Sequence, residues 1–150
     1  MANPTVAVLV GGGTAAFLDG LTATVDFGMR GVSFTRLWQG VASGALGPSS
    51  FQHGAATAVL GLFFHTLIAM TAALVFNLAA SYVPALFAHF IFAGVAYGIV
   101  VYLFMTFVVI PLSVLPHRPV TFAGSIKPII VHMICVGLPI SIAAWWYAKK

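Results

Sequence analysis

GAATAVLGLFFHTLIAMTAALVFNLAAS, residues 54–81, contains no Asp, Glu, Lys or Arg and a single imidazole, His65. At about 1.5 Å per residue the run makes a helix roughly 42 Å long, more than the ~30 Å hydrocarbon core of a bilayer. A helix of that length without a charge has lipid, not water, as its solvent.

Three further runs have the same character, at 5–27, 86–112 and 125–147. Pro84 parts the second from the third. The stretch Pro111–Pro119, with Pro116, His117 and Arg118 inside it, parts the third from the fourth. In hydrocarbon only helices or closed barrels satisfy every backbone N–H and C=O. These runs are too long, and too rich in Ala, Leu and Gly, for barrel strands. The sequence therefore predicts an all-α fold, a polytopic bundle of four transmembrane helices forming one membrane domain over residues 1–150.

Composition points the same way. Hydrophobic residues make up 61% of the chain and charged residues 5%, whereas a soluble domain carries about a quarter charged residues. That is too little charge to cover a water-facing surface. The net charge of +4 is six bases against two acids, and the bases, Arg30, Arg36, Arg118, Lys127, Lys149 and Lys150, form no cluster able to track phosphates. No nucleic-acid partner is expected; the partner is the lipid bilayer. Cys135 is the only cysteine, which excludes an intrachain disulfide or a thiolate metal cluster. The amino terminus has no Lys or Arg ahead of its apolar run, unlike a secretory signal, so the first run reads as a retained helix.

Residues 28–53 differ from the spans. Ser33 is a good N-cap and Gly47-Pro48 a good stop, which predicts a short helix over about 33–46. Phe34, Leu37, Trp38, Val41 and Ala45 share one face of it, with Arg36, Gln39, Gly40 and Ser43 on the other. This is an amphipathic helix lying in the interface with Trp38 at headgroup depth; a re-entrant half-helix is the competing reading. The connections 28–53 and 112–124 fall on one side with Arg30, Arg36, Arg118 and Lys127. The positive-inside rule puts them in the cytoplasm.

An ionisable side chain at the bilayer centre costs about 2.5–3.5 kcal/mol, so each one must be paired, enclosed in protein or near an interface. Asp19 and Asp26 share a face of the first helix with Gly12, Ala15 and Thr22, opposite Val10, Phe17 and Leu21. Asp26 with Arg30 is an i,i+4 interface pair. Asp19 lies two turns deeper with no base four residues away. His65 sits mid-span on a face of small residues, Gly54, Ala58, Gly61, Ala69 and Ala72. His132 shares a face with Ser125, Pro128, Pro139 and Ala143, and Pro139 frees the carbonyl of Cys135.

Counted from the side of the first and third connections, Asp19 and His132 come out roughly 10 Å deep and His65 roughly 18 Å. Asp19 is thus expected beside His132, with His65 further in. Asp19, His65 and His132 form the candidate intramembrane polar site. It is either a hydrogen-bonded group that fixes helix register or a site for a proton, a cation or a small polar solute. Haem ligands must face one another at equal depth, and the offset between His65 and His132 argues against haem. No metal-binding or nucleotide motif is present, and Gly11–Gly13 lies inside a span where small residues pack helices. No catalytic or metal site is read, and no cofactor, haem or quinone, is expected. Gly94-Val-Ala-Tyr-Gly98 is a GxxxG pattern suited to intrachain packing or to an oligomer contact.

The strings Ala16-Phe-Leu-Asp-Gly-Leu-Thr-Ala, Leu37-Trp-Gln-Gly-Val-Ala-Ser-Gly-Ala-Leu-Gly and Thr57-Ala-Val-Leu-Gly-Leu-Phe-Phe-His-Thr-Leu-Ile-Ala, with Tyr97-Gly-Ile-Val-Val-Tyr and Val109-Ile-Pro-Leu-Ser, carry a resemblance. Together they resemble small four-helix inner-membrane proteins of bacteria. The resemblance covers most of the chain; it implies a bacterial inner-membrane location and attaches no activity. Two functional expectations stand side by side. One is a channel- or carrier-like protein acting as a homo-oligomer through its polar site. The other is an accessory structural subunit of a larger respiratory or photosynthetic membrane complex.

Overall fold

The structure, a computed structural model, describes residues 3–114 and 120–148. His117, Arg118, Lys149 and Lys150 lie outside the described residues. In chain order the helices are α1 (Pro4–Met29), α2 (Phe34–Leu46), α3 (Gly54–Tyr82), α4 (Phe90–Leu112) and α5 (Phe122–Tyr147). All but α2 are long and apolar enough to cross a membrane. A 3-10 turn, Gly47–Gln52, joins α2 to α3, and a single helical turn, Ala85–Ala88, precedes α4.

The helix ends follow from local chemistry. Asn3 caps α1 by accepting from the Val6 N–H at 3.1 Å, and Pro4 supplies a first-turn residue with no N–H to satisfy. Ser33 caps α2 by accepting from the Arg36 N–H, and Gly47 ends it with a φ of 67° just before Pro48. Two span starts differ from expectation. Thr121 accepts from the Gly124 N–H, so the fourth span begins at Phe122, ahead of residue 125. The third begins at Phe90, after residue 86, because the turn following Pro84 breaks at His89.

Both α4 and α5 contain a widened π-turn, at Met105–Val109 and His132–Gly137. In each, the residue just before a proline donates five residues back: Ile110 N–H to Met105 O, and Leu138 N–H to Met133 O. Pro111 and Pro139 cannot donate to the carbonyl four residues behind them, and the wider turn is how the chain continues past them.

The four long helices run alternately up and down. α1 lies between α3 and α5. Gly12 faces the backbone of Met70 on one side, while Gly11 faces Ile140 and Ala143 on the other. At one end the Asn3 N–H donates to the Tyr147 carbonyl at 2.7 Å; at the other Asp26 meets Lys127. α4 packs on α5 through glycine: a Cβ on Gly94 would strike Ser141, one on Gly98 the His132 carbonyl, and one on Gly137 the Gly94 carbonyl. The GxxxG pattern therefore serves packing within the chain. Tyr97 ties α4 to α3, its ring against Phe76 at 5.0 Å and its hydroxyl donating to the Ala72 carbonyl at 2.7 Å. The core, Ala15, Ala73, Phe76, Ala80, Val136, Ile140 and Ala144, fills the half of the bundle nearer the two described chain ends. Phe17 and Leu21 point outward, as their face of α1 predicts.

α2 forms where expected, but the face it turns to the protein is not the apolar one. Trp38, Gln39, Ala42 and Ser43 are buried, while Phe34 is 57% exposed. The reason is hydrogen bonding. Gln39 Nε2 donates to the Gly54 carbonyl at 2.9 Å, Ser50 Oγ donates to the Gln39 carbonyl, and Thr57 Oγ1 donates to the Ser50 carbonyl. Beside lipid, apolar side chains lose nothing by pointing outward, whereas polar ones need the protein. α2 rides directly on α3, since a Cβ on Gly61 would collide with the Trp38 carbonyl. Trp38 packs inward and does not lie out at the surface.

Candidate polar site

Gly20 creates the opening on which the site is built. Without a Cβ there, both Trp38 and His65 reach the α1 backbone; a methyl at Gly20 would sit 3.1 Å from Trp38 Cη2 and 3.4 Å from His65 Nε2. His65 Nε2 lies 3.0 Å from the Ala16 carbonyl, which can only accept, so Nε2 carries the hydrogen. Asp19 Oδ2 stands 4.0 Å from the same nitrogen. The separation is an ion-pair distance, too long for a direct hydrogen bond. Nδ1 has no hydrogen-bond partner among the described residues, which leaves it as the position for a second proton. Both side chains are mostly enclosed, at 17% exposure for His65 and 21% for Asp19.

The imidazole facing Asp19 is thus that of His65, and the expected pairing of Asp19 with His132 is corrected. Depth does not separate the two imidazoles: with α1 ending at Met29 and α5 starting at Phe122, Asp19 and His132 each lie roughly 15 Å, and His65 roughly 16 Å, from their helix ends. The direction each ring takes decides the pairing. His132 turns elsewhere: its Nδ1 lies 2.9 Å from the Pro128 carbonyl, and its ring stands edge-on to Tyr102 at 5.7 Å.

From Asp19 a polar line runs down one face of α1 to the end where α2 lies. Thr22 Oγ1 donates to the Leu18 carbonyl at 2.8 Å and lies 3.7 Å from Cys135 Sγ. A turn further, Asp26 binds Arg30 at 2.9 Å, as the i,i+4 spacing predicts, and also Lys127 of α5. In the other direction the line stops at the packed residues Ala15, Ala73 and Phe76. A shallow groove between α1 and α5, lined by Val10, Thr14, Pro139 and Trp146, lies in that far half and does not reach the pair.

Sequence reasoning missed Trp38 and Lys127 as members of this region. The signal for Trp38 was the pair of glycines, Gly20 and Gly61, that make room for it; the signal for Lys127 was its sign and its place at the start of α5. Chemically, a carboxylate at ion-pair distance from an imidazole can balance one positive charge on the ring. Ionised Asp19 beside protonated His65 is neutral overall, as is the pair with both groups uncharged, whereas ionised Asp19 beside a neutral ring leaves a lone charge within a span. Among the described residues, no three of His, Cys, Asp and Glu gather closely enough to hold a metal ion. No protein-family model matches the chain, and no curated protein or solved structure shows significant similarity to it.

Proposed function

We propose that the chain is a multi-pass protein of the bacterial inner membrane, with α2 in the interface and the 28–53 and 112–124 connections in the cytoplasm. In this reading it works as a homo-oligomer, and the Asp19–His65 pair loads and releases a proton, a cation or a small polar solute. The observation that carries the reading is the pair itself: a carboxylate and an imidazole mostly enclosed between two long apolar helices, joined by Thr22 and Asp26 to one end of the bundle. Packed side chains close the other half, so passage across the whole membrane requires a second copy or a rearrangement.

The test is flux from liposomes carrying the purified protein and an internal pH dye, under an imposed pH gradient and then under cation gradients. Wild type should exceed empty liposomes, and Asp19→Asn and His65→Gln should each lose most of the difference while remaining folded. Flux equal to that of empty liposomes under every gradient overturns the reading. The second reading, an accessory subunit of a respiratory or photosynthetic complex, is favoured by the outward face of α1: Phe17 at 67%, Leu21 at 50% and Val25 at 53% exposure on the helix that is otherwise central. Purification from native membranes separates the two. A homo-oligomer supports the first; stoichiometric co-purification with defined membrane subunits supports the second.

A further inference from the structure

α2 touches the polar pair at one residue. The Trp38 indole and the His65 imidazole pack at an angle, with ring centroids 5.1 Å apart and planes at 61°, within the roughly 6 Å over which a charged imidazole attracts an indole face turned to it. The ring is 3% exposed, yet its Nε1–H is sealed from solvent and has no acceptor among the described residues. A buried donor without a partner opposes the pose that buries it, and this one gains acceptors as soon as the indole moves out to headgroups or water. What opposes that movement includes the attraction between His65 and the indole, which grows when the imidazole is charged. The two contributions are of the same order, so the balance between docked and loosened α2 depends on one proton.

We infer that α2 reads the protonation state of His65 through Trp38: it is held against α1 and α3 while the ring is charged and loosens when the ring is neutral. The inference takes from the proposed function only that His65 gains and loses a proton. Nε2–H is committed to the Ala16 carbonyl, so the charging proton goes to Nδ1. The groups around it are few. From α1 Asp19 faces it, and Asp26 is engaged with Arg30 and Lys127. From α2 the Arg36 guanidinium lies over the Phe51 ring at 4.4 Å. On α3 itself, His53 caps the helix start and Tyr82 closes its far end. From α5, Cys135 is beside Thr22 and His132 beside Tyr102. The movement would not stop at α2, because the Val114 N–H at the end of α4 donates to the Gly44 carbonyl at 3.0 Å.

The experiment uses the full chain in liposomes with Trp145→Phe and Trp146→Phe, which leaves Trp38 as the only indole. Emission and quenching by aqueous acrylamide are followed from pH 5 to pH 9. An adjacent imidazolium quenches indole emission far more than the neutral ring does. Emission should therefore rise with pH, and acrylamide access should at least double over the same transition. His65→Gln should abolish both changes. Asp19→Asn should keep them but move the transition to lower pH, because the charged ring loses its counter-charge; this variant carries the test if His65→Gln fails to fold. Emission and access that stay flat with pH in the parent, or a transition unchanged by both substitutions, overturn the inference. A pH-dependent Trp38 signal in a protein without flux leaves it standing and removes the transport reading. Flux that needs Asp19 and His65 beside a silent Trp38 does the reverse.

Discussion

Gly61→Ala is the sharpest perturbation of the contact between α2 and α3. The new methyl would overlap the Trp38 carbonyl oxygen, with the Trp38 carbonyl carbon at 2.8 Å and the Ala42 nitrogen at 3.1 Å. All three are backbone atoms, so no change of rotamer relieves the overlap and the two helices must part. Overpacking of this kind costs about 1–3 kcal/mol, and immovable neighbours put this case near the upper end, at about 3 kcal/mol. Alanine returns about 1 kcal/mol through its better helix propensity. The net loss is then about 2 kcal/mol, a fall of roughly 30-fold in the ratio of folded to unfolded protein. Gly40→Ala, in the middle of α2, is the control: nothing lies within 4 Å of its added methyl, so only the gain of up to about 1 kcal/mol remains. Reversible unfolding in mixed micelles with increasing SDS, followed by far-UV circular dichroism and tryptophan emission, measures both. If Gly61→Ala proves as stable as Gly40→Ala, α2 does not ride on Gly61 and the assignment of its inner face is wrong.

Two other outcomes follow from the packing. Tyr97→Phe removes a hydrogen bond between α4 and α3 and keeps the ring on Phe76; the Ala72 carbonyl, inside α3, keeps its helical partner, and interhelical bonds of this type average about 0.6 kcal/mol, so SDS unfolding should show a small loss, and a loss several times larger would refute this account of the contact. Single cysteines at Thr35 and Thr121, in a Cys135→Ser background, should react with an impermeant maleimide from the same side of the membrane, and labelling from opposite sides would refute the topology.

The long helices were legible because the bilayer demands length and apolarity together, and residues 54–81 supply both without a charge. The Asp26–Arg30 pair was legible because it lies within one helix, where spacing alone fixes the neighbour. Pairing between helices was not. It depends on which way each side chain turns as well as on axial depth: Asp19, His65 and His132 all come out roughly 15 to 16 Å from their helix ends, and it is His65 that turns to Asp19. The inner face of α2 failed for a different reason. Sorting its residues by polarity assumes water outside and an apolar interior, yet Gln39 turns inward to the Gly54 carbonyl while Phe34 is left to the surroundings. Gly94 and Gly98 announced a close approach, but a glycine pair carries no information about which surface approaches it.

The wide turn at His132–Gly137 has a consequence for how one helix serves two neighbours. A π-turn is equivalent to one inserted residue, so everything beyond it is rotated by about 100° relative to an unbroken α-helix. On a continuous helical wheel His132, Pro139 and Ala143 fall in one stripe. In the folded chain, His132 stands on Tyr102 of α4, whereas Ala143 faces Gly11 of α1. The inserted residue works as a phase shifter: the two halves of α5 address different partners in independent angular registers. Removing a single residue there, the exposed Ile134 for instance, would restore one continuous phase and oblige the helix to choose between them. The length of this segment is therefore constrained in its own right, beside the identity of Gly137, which leaves no room for a side chain.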